Sequence, residues 1–199
     1  MAKRVILAGL AGGIVMFLWG GLWHDQLPTA FLGLRSLPNE AAVRNVMQAN
    51  IHDPGMYLFP GFGLPDDAPF SQKKAAMQKL MQSGIQGPQG VLIYSPTGVG
   101  LSPKMLITEC LTDIVQALLV AFLVAQTGVR RFSSRVGFVF VAGLLAAITT
   151  NVSLWNFYQF PISWILGQIT YLVLGYFLIG LVVAAIVKTG TPKAAVTTA

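Results

Sequence analysis

Four long stretches of the chain are dominated by apolar residues, and each is long enough to cross a lipid bilayer. A hydrocarbon layer of about 30 Å needs roughly 20 residues of helix, and the stretches cover residues 5–23, 105–127, 136–158 and 164–187. The pattern predicts an all-α membrane protein, a four-transmembrane-helix bundle with a small α+β extracytoplasmic cap inserted between helices 1 and 2. The predicted parts are helix 1 within residues 1–23, the cap at residues 24–104, helices 2–4 within residues 105–187, and a cytoplasmic tail at residues 188–199.

Shorter periodic runs predict the elements of the cap. Residues 41–49 follow Asn39, a residue type that favours the N-cap of a helix, and residues 71–82 show a second helical pattern. Two short runs of β-type residues, 56–59 and 91–94, are expected to pair as strands.

The composition and the distribution of charge support a membrane location. Hydrophobic residues make up 54% of the chain and charged residues only 10%, against about 25% charged residues in soluble proteins. Seven Lys and Arg residues and no acid lie on the side shared by the two termini, whereas residues 24–104 carry six cations and five acids. Because cytoplasmic flanks collect Lys and Arg, we expect a bacterial inner (plasma) membrane protein with both termini in the cytoplasm and residues 24–104 outside. This topology explains the high isoelectric point, so nucleic acid is not an expected partner.

Two carboxylates interrupt the second apolar stretch near its outer end. Glu109 and Asp113 lie at i and i+4, so they project from the same face of a helix. An acidic residue at the centre of a membrane helix costs about 2.5–3.5 kcal/mol on insertion scales, and such residues usually face protein or water. Further polar residues are predicted at a similar level: His24, Gln116, Asn151, Gln168 and Tyr171.

This outer polar cluster has two interpretations. It is either a pocket that opens outward beneath the cap and binds a ligand, or a structural network that holds the helices together by hydrogen bonds of about 0.6 kcal/mol each. The inner halves of the predicted helices are almost wholly apolar, which argues against a continuous polar channel.

The sequence carries no recognisable catalytic or metal-binding motif. Its single cysteine, Cys110, leaves the cap without a disulfide and excludes a zinc site built on paired cysteines. A set of His24, Glu109 and Asp113 is only a weak signal for a divalent metal. No phosphate loop, nucleophile elbow or dinucleotide fingerprint occurs. We therefore predict no metal, no cofactor and no catalytic residue, and we favour a non-enzymatic role.

Small residues at four-residue spacing mark three of the predicted membrane helices. Close helix contacts are expected there, either within the bundle or between neighbouring subunits. The positions are Gly9 and Gly13 on helix 1, Gly143 and Ala147 on helix 3, and Gly180 and Ala184 on helix 4.

Three segments of the chain resemble a group of uncharacterised small bacterial four-helix inner-membrane proteins. They are residues 17–24 (FLWGGLWH), 37–40 (LPNE) and 53–61 (DPGMYLFPG). The resemblance covers most of the chain, and it implies the topology but no activity.

These features lead to three hypotheses about function. The first is a non-enzymatic accessory or scaffold subunit of a larger inner-membrane complex, with partner membrane proteins or further copies of the chain bound to it. The alternative is a binder or carrier of a lipid, quinone or other amphiphile, with Glu109 and Asp113 as its polar groups. A membrane oxidoreductase-like enzyme comes third, because no cofactor motif supports it. Membrane lipid is an expected partner in each case.

Overall fold

A computed structural model describes residues 1–84, 87–98 and 100–188. The chain is mostly helical, at 70%, and the described part contains one small two-stranded sheet. The elements are α1 (Ala2–Gly21), a π-helical turn (Leu22–Gln26), a 3-10 turn (Pro28–Phe31), α2 (Glu40–Asn50), β1 (Gly55–Phe59), α3 (Phe70–Ser83), β2 (Gly90–Tyr94), α4 (Pro103–Gln126), α5 (Phe132–Tyr158) and α6 (Ile162–Ile186). Residues 189–199, most of the predicted tail, lie outside the described residues.

Helices α1, α4, α5 and α6 are long and apolar enough to cross a membrane. Counting the π-helical turn that continues α1, the four spans contain 24–27 residues. They overlap the four predicted stretches, so the prediction of four helices of spanning length is confirmed. Ser102 sets the start of α4, because its hydroxyl accepts a hydrogen bond of 3.4 Å from the backbone N–H of Met105.

The chain divides into two compact units. The helical unit comprises Met1–Leu34 and Leu101–Ala199 and contains the four long helices, and the smaller unit is Arg35–Gly100. Residues 24–34 and 101–104, which the sequence pattern placed in the cap, therefore cluster with the long helices.

The long helices pack in the spatial order α4, α1, α6, α5. Helix α1 packs along both α4 and α6, and α6 packs along both α1 and α5. Helices α4 and α5 follow each other in the chain but touch at only a few residues. The buried side chains between the helices include Met16, Ala117, Val139, Ile179 and Val183.

Two glycines allow α1 and α4 to approach closely. A Cβ atom at Gly13 would lie 2.7 Å from the backbone nitrogen of Ile114, and one at Gly9 would lie 2.9 Å from the Cα atom of Leu118. An ordinary van der Waals contact is 3.4–4 Å. Helix backbones meet at such distances only where small residues leave room, so both glycines face α4 of the same chain.

Small residues also lie between α5 and α6. A Cβ atom at Gly143 would lie 2.6 Å from Cγ of Tyr176, and one at Gly180 would lie 3.3 Å from the carbonyl oxygen of Val136. These glycines therefore face a neighbouring helix of the same chain. The alanines at the two remaining predicted positions are buried: Ala147 and Ala184.

Arg135, near the start of α5, is buried although the sequence pattern placed it among the cytoplasmic flanking charges. Its guanidinium donates a hydrogen bond of 2.8 Å to the carbonyl oxygen of Ala184 and another to the carbonyl oxygen of Arg130. The carbonyl of Ala184 belongs to the last turn of α6, where a cation is favoured by the helix dipole. Arg135 thus ties the start of α5 to the end of α6.

The smaller unit contains the predicted pair of strands. Strands β1 and β2 are antiparallel, with Gly55 opposite Tyr94, and α2 and α3 overlap the two predicted helices. Asn39 occupies the N-cap position of α2, as predicted, but its side chain makes no capping hydrogen bond within the described residues. Its backbone is left-handed, with φ 50° and ψ 50°, whereas a capping side chain reaches the helix N–H groups from an extended backbone.

The smaller unit has no buried residue within 35–84, 87–98 and 100. Helices α2 and α3 bury none of their side chains. Large apolar residues are instead strongly exposed, with Phe70 at 80% and Ile93 at 77%. The described contacts inside this unit therefore leave much of its apolar surface uncovered.

Candidate functional site

A cavity of about 760 Å³ lies in the helical unit beside the end of α1. This volume is typical of small-molecule sites, which span roughly 300–1,000 Å³. Its walls come from the last turns of α1, the π-helical turn, the first turns of α4 and one residue of α6. The polar lining residues are His24, Asp25, Gln26, Glu109, Asp113 and Tyr171. The other described lining residues are all apolar or glycine.

The π-helical turn Leu22–Gln26 forms one end of the cavity. A π turn contains an extra residue relative to an α turn and is found frequently at functional sites. Here the turn buries Trp23 and leaves the next three residues exposed along the cavity. The sequence pattern does not predict this turn, because hydropathy marks the end of an apolar helix but does not distinguish α from π hydrogen bonding.

Aromatic side chains of α1 and the π-helical turn surround Tyr171 of α6. The ring centroid of Tyr171 lies 5.9 Å from that of Trp23 and 5.2 Å from that of His24, within the 4.5–7 Å typical of aromatic pairs. The indole N–H of Trp19 donates a hydrogen bond of 3.0 Å to the backbone carbonyl of Tyr171. A Cβ atom at Gly20 would lie 3.2 Å from the phenol oxygen. These contacts hold one wall of the cavity in place.

Asp113 is buried, with 2% relative exposure, on the side of α4 that lines the cavity. Its Oδ1 atom accepts a hydrogen bond from the side-chain amide of Gln116. Its Oδ2 atom is buried and has no hydrogen-bond partner among residues 1–84, 87–98 and 100–188, which requires an explanation because buried polar atoms are usually paired. Glu109, one turn earlier, is exposed and lines the same cavity. The site therefore contains a buried acceptor atom that the described residues leave unsatisfied.

Acidic side chains outnumber basic ones around the cavity. Asp25, Glu109 and Asp113 line it, whereas none of the lining residues in the described part of the chain is Lys or Arg. His24 is the one lining residue with a titratable nitrogen in that part. The arrangement favours a positively charged or hydrogen-bond-donating group over an anion.

The structure brings together some of the predicted site residues. His24, Glu109, Asp113 and Tyr171 line the cavity, and Gln116 holds Asp113. The other two predicted residues do not line it. Gln168 on α6 is half-buried, and Asn151 on α5 is buried with its amide donating to the carbonyl of its own helix at Ala147 and to the hydroxyl of Thr150.

Several threonines of α4, α5 and α6 make local hydrogen bonds. Their hydroxyls donate to carbonyl oxygens one turn earlier in their own helices, at 2.7–2.9 Å. Local bonds of this kind satisfy a hydroxyl without connecting one helix to another. The threonines in this position are Thr108, Thr112, Thr149, Thr150 and Thr170.

Within residues 1–84, 87–98 and 100–188, no group of three or more His, Cys, Asp and Glu side chains is placed to hold a metal ion. No protein-family model, curated protein or solved structure matches the chain. The geometry and chemistry of the cavity are therefore the basis on which a function is assigned.

Proposed function

We propose that the chain is a multi-pass protein of the bacterial inner membrane, with both termini in the cytoplasm and residues 24–104 outside. Four helices of spanning length and the cation-rich flanks on the side of the termini support this topology. Alkaline phosphatase is active only outside the cytoplasm, so it tests the orientation. We expect activity from a fusion within the smaller unit and none from a fusion after residue 188, and the reverse pattern would refute the orientation.

We further propose that the cavity beside α1 binds an amphiphile. The observation that carries this proposal is the buried, unpaired Oδ2 of Asp113 beside a cavity of about 760 Å³. Leaving such an atom unsatisfied costs about 1–3 kcal/mol, and more when the group is charged. A ligand whose donor pairs with Oδ2, after a small rotation of the Asp113 carboxyl group toward the cavity that Asp113 lines, removes this cost. The apolar part of the ligand lies against the apolar lining residues, which include Leu18, Leu22 and Leu106.

Native mass spectrometry of the protein extracted from its own membrane in a mild detergent tests amphiphile binding. We expect one defined small molecule on the wild-type chain and its loss from an Asp113→Asn variant, which keeps the side-chain volume. A Glu40→Gln variant is the matched control, because it removes one carboxylate from the exposed first turn of α2. Equal ligand retention by all three proteins would refute the assignment to this cavity.

A second candidate function, an accessory or scaffold subunit, is favoured by the smaller unit. Its described residues include none that is buried, while Phe70 and Ile93 are largely exposed. A partner subunit that covers such apolar side chains would gain about 25 cal/mol for each Å² removed from water. Chemical crosslinking in the native membrane tests this function. Crosslinks from residues 35–84 to one defined protein would support it, and a chain that crosslinks only within itself would refute it.

A further inference from the structure

The unpaired oxygen of Asp113 selects the polar end of a ligand. A carboxylate oxygen accepts hydrogen bonds, so its partner must be a donor. Gln116 already donates to Oδ1, and within the described residues no group donates to Oδ2. A head group with N–H or O–H bonds can donate a hydrogen bond to Oδ2, whereas one that carries only carbonyl or ether oxygens cannot.

The charges around the cavity distinguish between kinds of donor. A ligand beside Asp113 also faces the carboxylates of Glu109 and Asp25, with no Lys or Arg among the described lining residues to offset them. A neutral donor and an ionised donor can both make a charge-assisted hydrogen bond to a carboxylate, but only the ionised donor also offsets the negative charge around the cavity. A head group whose only charge is a phosphate or a carboxylate would meet three like charges.

The aromatic wall adds to the same preference. A cation within about 6 Å of the centroid of a tyrosine or tryptophan ring is attracted by the π electrons, and more strongly where water is excluded. The ring of Tyr171 lines the cavity, and Trp23 packs against it with centroids 5.9 Å apart. Both Tyr171 and the carboxylates are thus among the residues that a cation in the cavity meets.

We propose that the ligand of the cavity is an amphiphile whose head group carries an ammonium with N–H bonds, such as a primary ammonium on an apolar chain. This inference rests on the proposed amphiphile site and specifies the chemical class of its ligand. The ammonium donates to Oδ2 of Asp113, and its charge is balanced by Asp113, Glu109 and Asp25.

Four probes with the same dodecyl chain separate charge from hydrogen-bond donation. Dodecylammonium has both properties, dodecyltrimethylammonium has charge without a donor, dodecanol has a donor without charge, and dodecyl phosphate is an anion. Each is titrated onto the purified protein in a neutral maltoside detergent, and native mass spectrometry gives the fraction of chains with one probe bound. The same titrations are made on Asp113→Asn and Glu40→Gln.

We expect dodecylammonium to bind at least about tenfold more tightly than dodecanol or dodecyl phosphate, with the trimethylated probe between them. Asp113→Asn should remove this preference while Glu40→Gln retains it. If Asp113→Asn does not fold, Glu109→Gln at the exposed position provides the test, with an expected loss of about threefold. Equal or tighter binding of dodecanol or dodecyl phosphate would overturn the ammonium class but leave the amphiphile site in place. No binding of any probe would overturn both.

An ammonium amphiphile comes either from the bilayer, as an aminophospholipid, or from solution. Protein transferred into nanodiscs of phosphatidylethanolamine or of phosphatidylcholine, and then released for native mass spectrometry, separates the two sources. Retention of phosphatidylethanolamine, dependent on Asp113, assigns the ligand to the bilayer. Retention of neither lipid, together with tight binding of dodecylammonium, assigns it to solution. Equal retention of both lipids would overturn the requirement for N–H bonds.

Discussion

Replacing Gly13 by alanine tests the close contact between α1 and α4. The added Cβ atom would lie 2.7 Å from the backbone nitrogen of Ile114, where an ordinary contact begins at 3.4 Å. Backbone atoms cannot rotate away, and the Cα atom of Ile114 would lie closer still, so the two helices must separate by more than about 0.7 Å. A gap of 0.5–1 Å loses about a quarter to a half of the dispersion energy of the atom pairs concerned. Overpacking of this kind costs about 1–3 kcal/mol.

Gly137→Ala is the matched control, because a Cβ atom at Gly137 would meet nothing within 4 Å. Both glycines lie in the interior of a long helix, so both variants gain the same helix propensity, about 0.5–1 kcal/mol. The difference between the variants therefore isolates the packing cost at Gly13. Unfolding by SDS in mixed micelles, followed by tryptophan fluorescence, measures that difference.

We expect the free energy of unfolding of Gly13→Ala to lie about 1–3 kcal/mol below that of Gly137→Ala. Gly137→Ala itself should equal or exceed the wild type. Such comparisons carry an error of about 0.5 kcal/mol. If the free energies of unfolding of the two variants differ by less than this amount, the close contact at Gly13 between α1 and α4 is refuted.

Three further predictions use the same unfolding measurement. Arg135→Met should lower the free energy of unfolding by about 1.5–3 kcal/mol, because it removes the charge-assisted hydrogen bond to the carbonyl of Ala184; an unchanged value would contradict this role. Trp19→Phe should lower it by about 0.5–1.5 kcal/mol through loss of the hydrogen bond to Tyr171, and a stabilised variant would argue against that bond. In ligand-free protein Asp113→Asn should be at least as stable as the wild type, since burying a neutral amide costs less than burying a carboxylate with an unpaired oxygen. A loss above about 1 kcal/mol would count against this account.

Much of the secondary structure could be predicted because it depends on local sequence. A run of apolar residues the length of α6 indicates a spanning helix without knowledge of its neighbours. The short runs at residues 56–59 and 91–94 contain the residue types that favour strands, and they do pair as β1 and β2. The conformation of Asn39 could not be predicted in the same way, since its residue type fits both an N-cap and a left-handed backbone.

The arrangement of the helices depends on contacts that the pattern does not encode. Gly13 indicates a close approach by some helix, but it does not identify α4 as the neighbour. In the sequence Arg135 is indistinguishable from other flanking cations, because its hydrogen-bond partner, the carbonyl of Ala184, lies far along the chain. Such pairs are separated by long stretches of sequence, so only packing in three dimensions reveals them.

Only part of the candidate site could be predicted, because the rest depends on which helices pack together. Glu109 and Asp113 could be found because carboxylates within an apolar helix are costly and therefore conspicuous. Asn151 was grouped with these carboxylates by its predicted level along the helix. In the structure, however, α5 packs along α6 and meets α4 at few residues. No described residue of α5 lines the cavity. Depth along a helix can be estimated from sequence, whereas the position of that helix around the bundle cannot.

The central position of α1 has a consequence for how the protein is made. Helix α1 leaves the ribosome before both helices that pack along its length, because α4 and α6 follow the whole of the smaller unit in the chain. Contacts between segments so distant in sequence form slowly. During synthesis the glycine face of α1 therefore stays uncovered until α4 has been made, and a nascent chain that stops before α6 lacks the wall around Tyr171.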